Sequence, residues 1–144
     1  MVPYAARLIP LLVSKNTRVR WEATHALALV ARLVPDVVAK VLDTLARAIW
    51  DDKSVIVRDY SILTLGEYAS TGAEAARSVG PILVRSLTEL EGRHAALALE
   101  ALAKAAGANA ELAADVIALA REYREDPKAR VSKAARATLK RLGD

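Results

Sequence analysis

The chain has no cysteine, phenylalanine or glutamine, one methionine, at its start, and asparagine only at Asn16 and Asn109. Without cysteine there is no disulfide framework, no thiolate metal site and no thiol nucleophile, so redox state has no bearing on folding. Without phenylalanine, rings come only from Trp21, Trp50 and four tyrosines. Elements must therefore approach one another through small and aliphatic side chains, not across aromatic bulk. The apolar start, Met1 to Val13, carries no basic segment ahead of it and no small-residue cleavage pattern, and it is too short to span a bilayer. The expectation is a cytoplasmic protein with no membrane role. Scarce Asn and Met, absent Gln and an excess of Arg over Lys lean toward a thermophilic source.

What remains is 144 residues, 53% hydrophobic and 26% charged, enough for one domain with a continuous core. The apolar share is mostly Ala, Leu and Val, and Ala and Leu are strong helix formers. Self-similarity is plain. Leu27, Leu65, Leu102 and Leu139 recur at near-constant spacing. Each follows a small residue (Ala26, Thr64, Ala101, Thr138) and has another four positions earlier (Ala23, Ser61, Ala98, Ala135). Eight positions before each stand Val19, Val57, His94 and Val131. These offsets fall on one helical face, so each copy is an amphipathic helix with a small-residue seam. A second register, Leu8, Leu45, Ile82 and Leu119, marks a helix preceding each one.

The chain is thus expected to form four helix pairs, with units about 1–34, 35–71, 72–107 and 108–144. The paired helices should span 2–13 with 17–33, 35–50 with 54–70, 73–90 with 93–106, and 109–125 with 128–142. Turn-forming residues fall between them, among them Asn16, Pro35-Asp36, Asp51 to Ser54, Gly72, Gly92, Gly107 and Pro127. Pro10 and Pro81 lie inside first helices and should kink them, and Gly80-Pro81 should divide the third.

Val19-Arg20-x-x-Ala23-x-x-Ala26-Leu27, Val57-Arg58-x-x-Ser61-x-x-Thr64-Leu65-Gly66, the turn Asp51-Asp52 and Pro81-Ile-Leu-Val-Arg-Ser-Leu87 resemble HEAT repeats across essentially the whole chain. The resemblance implies an all-α fold, a right-handed α-α superhelix whose second helices line a shallow concave surface. It also implies a ladder between neighbouring repeats in which Asp51 or Asp52 meets Arg20 or Arg58. His94-Ala95 and Val131-Ser132 replace Val-Arg in the last two repeats, so such a ladder should not reach the C-terminus. Armadillo repeats fit less well, because 37 residues leave no evident room for a third helix. Some HEAT-like proteins are DNA-repair glycosylases, but those are longer and no catalytic motif of theirs matches here.

Chemistry-bearing constellations are few. His25 and His94 are the two imidazoles, and they occupy different repeat positions. No metal-binding HExxH, phosphate-binding glycine loop or nucleophile elbow is present. Catalytic, metal and cofactor roles are therefore not expected. His94 reads as a helix-start histidine satisfied by nearby backbone.

Three surfaces stand out instead. Trp21, Glu22 and His25 share the side of a second helix away from Leu27, with Asp59 and Tyr60 at the aligned place in the next unit and Glu67 further along. This is a candidate protein-contact face. At the C-terminus, residues 121–144 carry the entire +4 net charge. Arg130, Lys133, Arg136, Lys140 and Arg141 form a stripe opposite Val131, Ala135 and Leu139, with no acid in the helix. It is either a surface that contacts the phosphates of nucleic acid or an acidic protein, or the solvated cap that a terminal repeat needs. At the N-terminus Tyr4, Leu8, Leu11, Leu12 and Val13 are poorly shielded, and either a partner or second copy covers them or they pack inward. The expected role is a protein-binding adaptor, with nucleic-acid binding as the alternative.

Overall fold

A computed structural model describes residues 2–143. Met1 and Asp144, which open and close the first and fourth units, lie outside the described residues. The fold is all-α, a right-handed superhelix of four helix pairs.

The first pair consists of α1 (Val2–Ala5) with 3-10 turns at Ala6–Leu8 and Pro10–Val13, followed by α2 (Thr17–Val30). The second contains α3 (Pro35–Ala39), α4 (Leu42–Asp51) and α5 (Val55–Ala69). The third is α6 (Ala73–Glu89) and α7 (Gly92–Ala108), and the fourth is a 3-10 turn at Ala110–Leu112, α8 (Ala113–Tyr123) and α9 (Ala129–Leu142). The second helices α2, α5, α7 and α9 pack each on the next, while α4, α6 and α8 back onto α5, α7 and α9. One layer of second helices therefore runs the length of the molecule behind a layer of first helices.

The core is the seam read from the sequence. Leu27, Leu65, Leu102 and Leu139 are all buried, as are Ala23, Ser61, Ala98, Ala135, Thr64, Ala101 and Thr138. Thr24, Ser61, Thr64 and Thr138 satisfy their hydroxyls by donating to the carbonyl four residues back, which lets polar small residues sit in a dry interface. Helix starts carry side-chain caps: Asn16 Oδ1 accepts from the Val19 N–H and Ser54 Oγ from the Val57 N–H, both at 3.2 Å.

Three expectations are corrected. Gly80-Pro81 does not divide its helix; α6 runs through Pro81. Val79, Leu83 and Leu87 are buried on both sides of the proline, and that packing holds a turn that propensity alone would break. Second, unit two does contain three helices. The chain breaks at Lys40-Val41, where Val37, Val38 and Val41 all bury. β-branched residues are weak helix formers, and a bend there seats all three in the core. Third, the first-helix register shifts by one in the later units. Leu83 and Ala120 are the buried positions, and Ile82 and Leu119 sit at the margin.

Polar ties join successive units. Arg20 Nε and NH2 donate to Asp52 Oδ2 and Oδ1 at 2.9 and 3.2 Å. Asn109 Nδ2 donates to the Ala73 carbonyl at 3.0 Å.

Candidate docking face on the second helices

Helices α2, α5, α7 and α9 each expose one edge along the same side of the layer, and a groove crosses them. Its first stretch is lined by Trp21 from α2, Ile56, Asp59, Tyr60 and Leu63 from α5, and Arg93, Leu97 and Glu100 from α7, with Arg130 of α9 at its far wall. A second stretch between α7 and α9 continues it past Glu100, Lys104, Arg130, Lys133 and Arg141. The His25 ring stacks on Tyr60 with centroids 4.3 Å apart and planes 12° from parallel. This fixes the tyrosine from behind and holds α2 against α5.

Asp59 is not an exposed contact residue. Only 5% of its side chain is exposed, with Arg93 Nε 2.6 Å from Oδ2 and His94 Nε2 3.3 Å from Oδ1. Burial pushes its carboxyl above the ordinary 3.8, with Arg93, His94, Arg130 and Arg58 pulling the other way. Burial likewise holds the His94 imidazole below 6.5, against the attraction of Asp59. His94 Nε2 thus lies beside a carboxylate of the preceding unit without a hydrogen bond to it, where the sequence suggests a backbone partner. Asp59 in turn fixes Arg93, whose side chain is more than half exposed, at the groove edge.

Other named residues fall as follows. Glu22 is exposed and pairs with Arg18 at 2.9 Å. Glu67 pairs with Lys104 at 2.5 Å and lies 3.8 Å from Arg32. The resemblance-derived ladder consists of Arg20 with Asp52. Arg58 donates to the Ile49 carbonyl at 2.7 Å instead, capping the end of α4, and Asp51 is exposed. Burial alone would raise the Asp52 pKa, but hydrogen bonds from Arg20 and the Ser54 N–H, with the charges of Arg20 and Arg58, outweigh it and hold the carboxyl below 3.8.

The basic stripe divides. Arg130, Lys133 and Arg141 face the groove, whereas Arg136 is opposed by an acid after all, Glu125, 3.4 Å away in the preceding turn. Lys140 is exposed outside the groove lining.

At the N-terminal end Leu12 is buried and Leu8 packs on the core, so neither forms a surface. Tyr4, Leu11 and Val13 are exposed, with Arg7 over the Tyr4 ring at 5.1 Å. Sequence reasoning missed Leu29 and Leu33, 72% and 68% exposed near the end of the first pair. Their spacing of four, at the end of α2 and in the turn beyond it, is the available signal.

Among the described residues no group of three or more His, Asp or Glu is placed to hold a metal. No helix there is long and apolar enough to cross a membrane.

No family model and no curated protein matches the chain. Solved structures do. A designed armadillo repeat protein in complex with a (KR)4 peptide superposes with a TM-score of 0.77 at 21% identity, over 97% of this chain and 64% of that one. A second designed armadillo repeat protein gives 0.73 at 22% identity, over 96% and 64%. A crystal structure of an engineered protein gives 0.73 at 20%, over 96% and 62%. The chain thus spans less than two thirds of the length of these structures, and what it shares with them is the HEAT- and armadillo-type helical repeat fold.

Proposed function

We propose that the protein is a non-catalytic adaptor of the cell interior that binds a segment of another protein along the groove of its second helices. The observation that carries this reading is the groove itself, which crosses all four units and joins apolar and aromatic surface at Trp21, Tyr60, Leu63 and Leu97 to charged groups at Arg93, Glu100, Arg130 and Lys133. An apolar centre with a polar rim is how protein recognition surfaces are built. A designed protein of the same fold is seen with a peptide, which supports the reading by analogy. Selection from a random peptide display library tests it. Ligands recovered on the parent protein should lose at least tenfold in affinity on Trp21→Ala with Leu63→Ala. Ligands indifferent to that pair of changes overturn it.

The second reading, nucleic acid on the C-terminal helix, is weakened by the division of the stripe and the Arg136–Glu125 pair. We also propose self-association through the N-terminal repeat, where Leu29 and Leu33, four positions apart, are exposed near the end of the first pair. The basic C-terminal end does not complement this surface, so the arrangement expected is two-fold, like against like. Light scattering should show a concentration-dependent dimer abolished by Leu29→Lys with Leu33→Glu; a monomer at every concentration refutes it.

A further inference from the structure

The charges along the groove are unequally matched, and the mismatch indicates what binds there. Glu22 is paired with Arg18, Asp59 with Arg93 and His94, and Glu67 with Lys104 and Arg32. The acids of the α2 and α5 half are thus answered within the protein. On the α9 side Arg130, Lys133 and Arg141 have no ion-pair partner among the described residues, although Arg130 feels the buried Asp59 charge. Among the described residues, Glu100 is the one acid that lines both stretches and is left unpaired. Three cations against one carboxylate leave this end of the groove positive. The other end offers Trp21, Tyr60, Leu63 and Leu97 as a partly covered apolar cleft.

We propose that the groove takes an extended acidic peptide segment, with its carboxylates on Arg130, Lys133 and Arg141 and an apolar side chain in the Trp21–Tyr60–Leu63–Leu97 cleft. This rests on the adaptor reading and adds the chemistry of the partner. Packed helices lie about 8–10 Å apart, so the two steps from α5 to α9 cover about 20 Å. An extended chain advances about 3.3 Å per residue. The acids therefore follow or precede the apolar anchor by about six residues, and the whole contact from α2 to α9 takes about nine. Guanidinium groups suit this task because they bind carboxylates in a two-pronged geometry. Arg93, held by buried Asp59, lines the apolar stretch of the groove. A nucleic-acid strand fits less well. Lys133 and Arg141 lie beyond the stretch that holds the aromatic rings, which Arg130 alone of the three cations reaches, and Glu100 lines both stretches.

Fluorescence anisotropy with three labelled probes tests the assignment. They are a peptide of about 12 residues carrying one Leu and, about six positions away, three Glu; a peptide with Lys at those positions; and a single-stranded oligonucleotide of similar length. The acidic peptide should bind, weaken as salt rises, and lose at least tenfold in affinity on Arg130→Glu with Lys133→Glu. Both positions are exposed, so circular dichroism should show the fold unchanged. The lysine peptide should bind at least tenfold more weakly than the acidic one. Absence of binding by the acidic peptide, or tighter binding of the oligonucleotide, overturns the assignment. If display selection still returns groove-dependent ligands without acidic residues, the acidic assignment falls and the adaptor reading stands. If selected ligands ignore the groove, both fall.

Discussion

A methyl group added at Gly66 would come within 2.8 Å of the Ala101 Cβ and 3.1 Å of its Cα, so α5 and α7 touch almost backbone to backbone. Replacing Gly66 by Ala gains about 1 kcal/mol of helix propensity, but overpacking costs about 1–3 kcal/mol, and the neighbour that would have to yield is main chain. We expect a net loss of about 1 kcal/mol in urea unfolding, and less than additive loss when Ala101→Gly is combined with it. A more stable Gly66→Ala contradicts the close approach. The Arg20–Asp52 pair makes the second residue-level prediction. It is mostly buried and bidentate, so Asp52→Asn should cost about 2 kcal/mol near neutral pH, between the values of exposed and fully buried pairs. The folded pKa of Asp52 lies below the ordinary 3.8. Its contribution is therefore complete above the unfolded value and disappears as pH falls through the folded one. Denaturation midpoints of parent and variant should converge as pH drops from about 5 to about 2; a constant gap refutes the assignment. The seam residues were legible because one period repeats four times. The burial of Asp59 was not, because a charged residue at an outward position reads as surface. The clue lay one repeat later, in the adjacent Arg93 and His94 that answer it.

Helix α6 carries its proline at the cost of one backbone hydrogen bond, the one the Arg77 carbonyl would have accepted. Pro81 is exposed, so Pro81→Ala should restore that bond without disturbing the core and raise stability by at least about 1 kcal/mol, measured as a higher thermal midpoint. An unchanged or lower midpoint indicates that the proline is not inside a continuous helix. Element boundaries were readable wherever a cap or breaker punctuates the chain, as at Asn16, Ser54 and Gly92. Gly92 takes a positive φ of 55° to start α7, which side chains beyond glycine disfavour. The break at Lys40-Val41 escaped notice because its cause is tertiary. Val37, Val38 and Val41 bend the chain in order to reach one core, and no turn residue announces it.

Across the whole molecule, repetition dictates shape. Each helix pair buries its apolar face against the next, leaving one edge of every second helix free. This is why the architecture was legible from sequence while the site was legible only in part. Trp21, Tyr60 and the groove-facing cations could be placed on outward helical positions. Their joining into one groove depends on how four units stack, and the withdrawal of Arg136 depends on a turn that lies outside its helix. The account stands on the groove being where a partner docks. Nuclear magnetic resonance of the 15N-labelled protein, titrated with a peptide recovered by display selection, tests that most directly. The account predicts amide shifts concentrated at Tyr60, Leu63, Leu97, Arg130 and their groove neighbours; shifts confined to the outer faces of α4, α6 and α8 would contradict it.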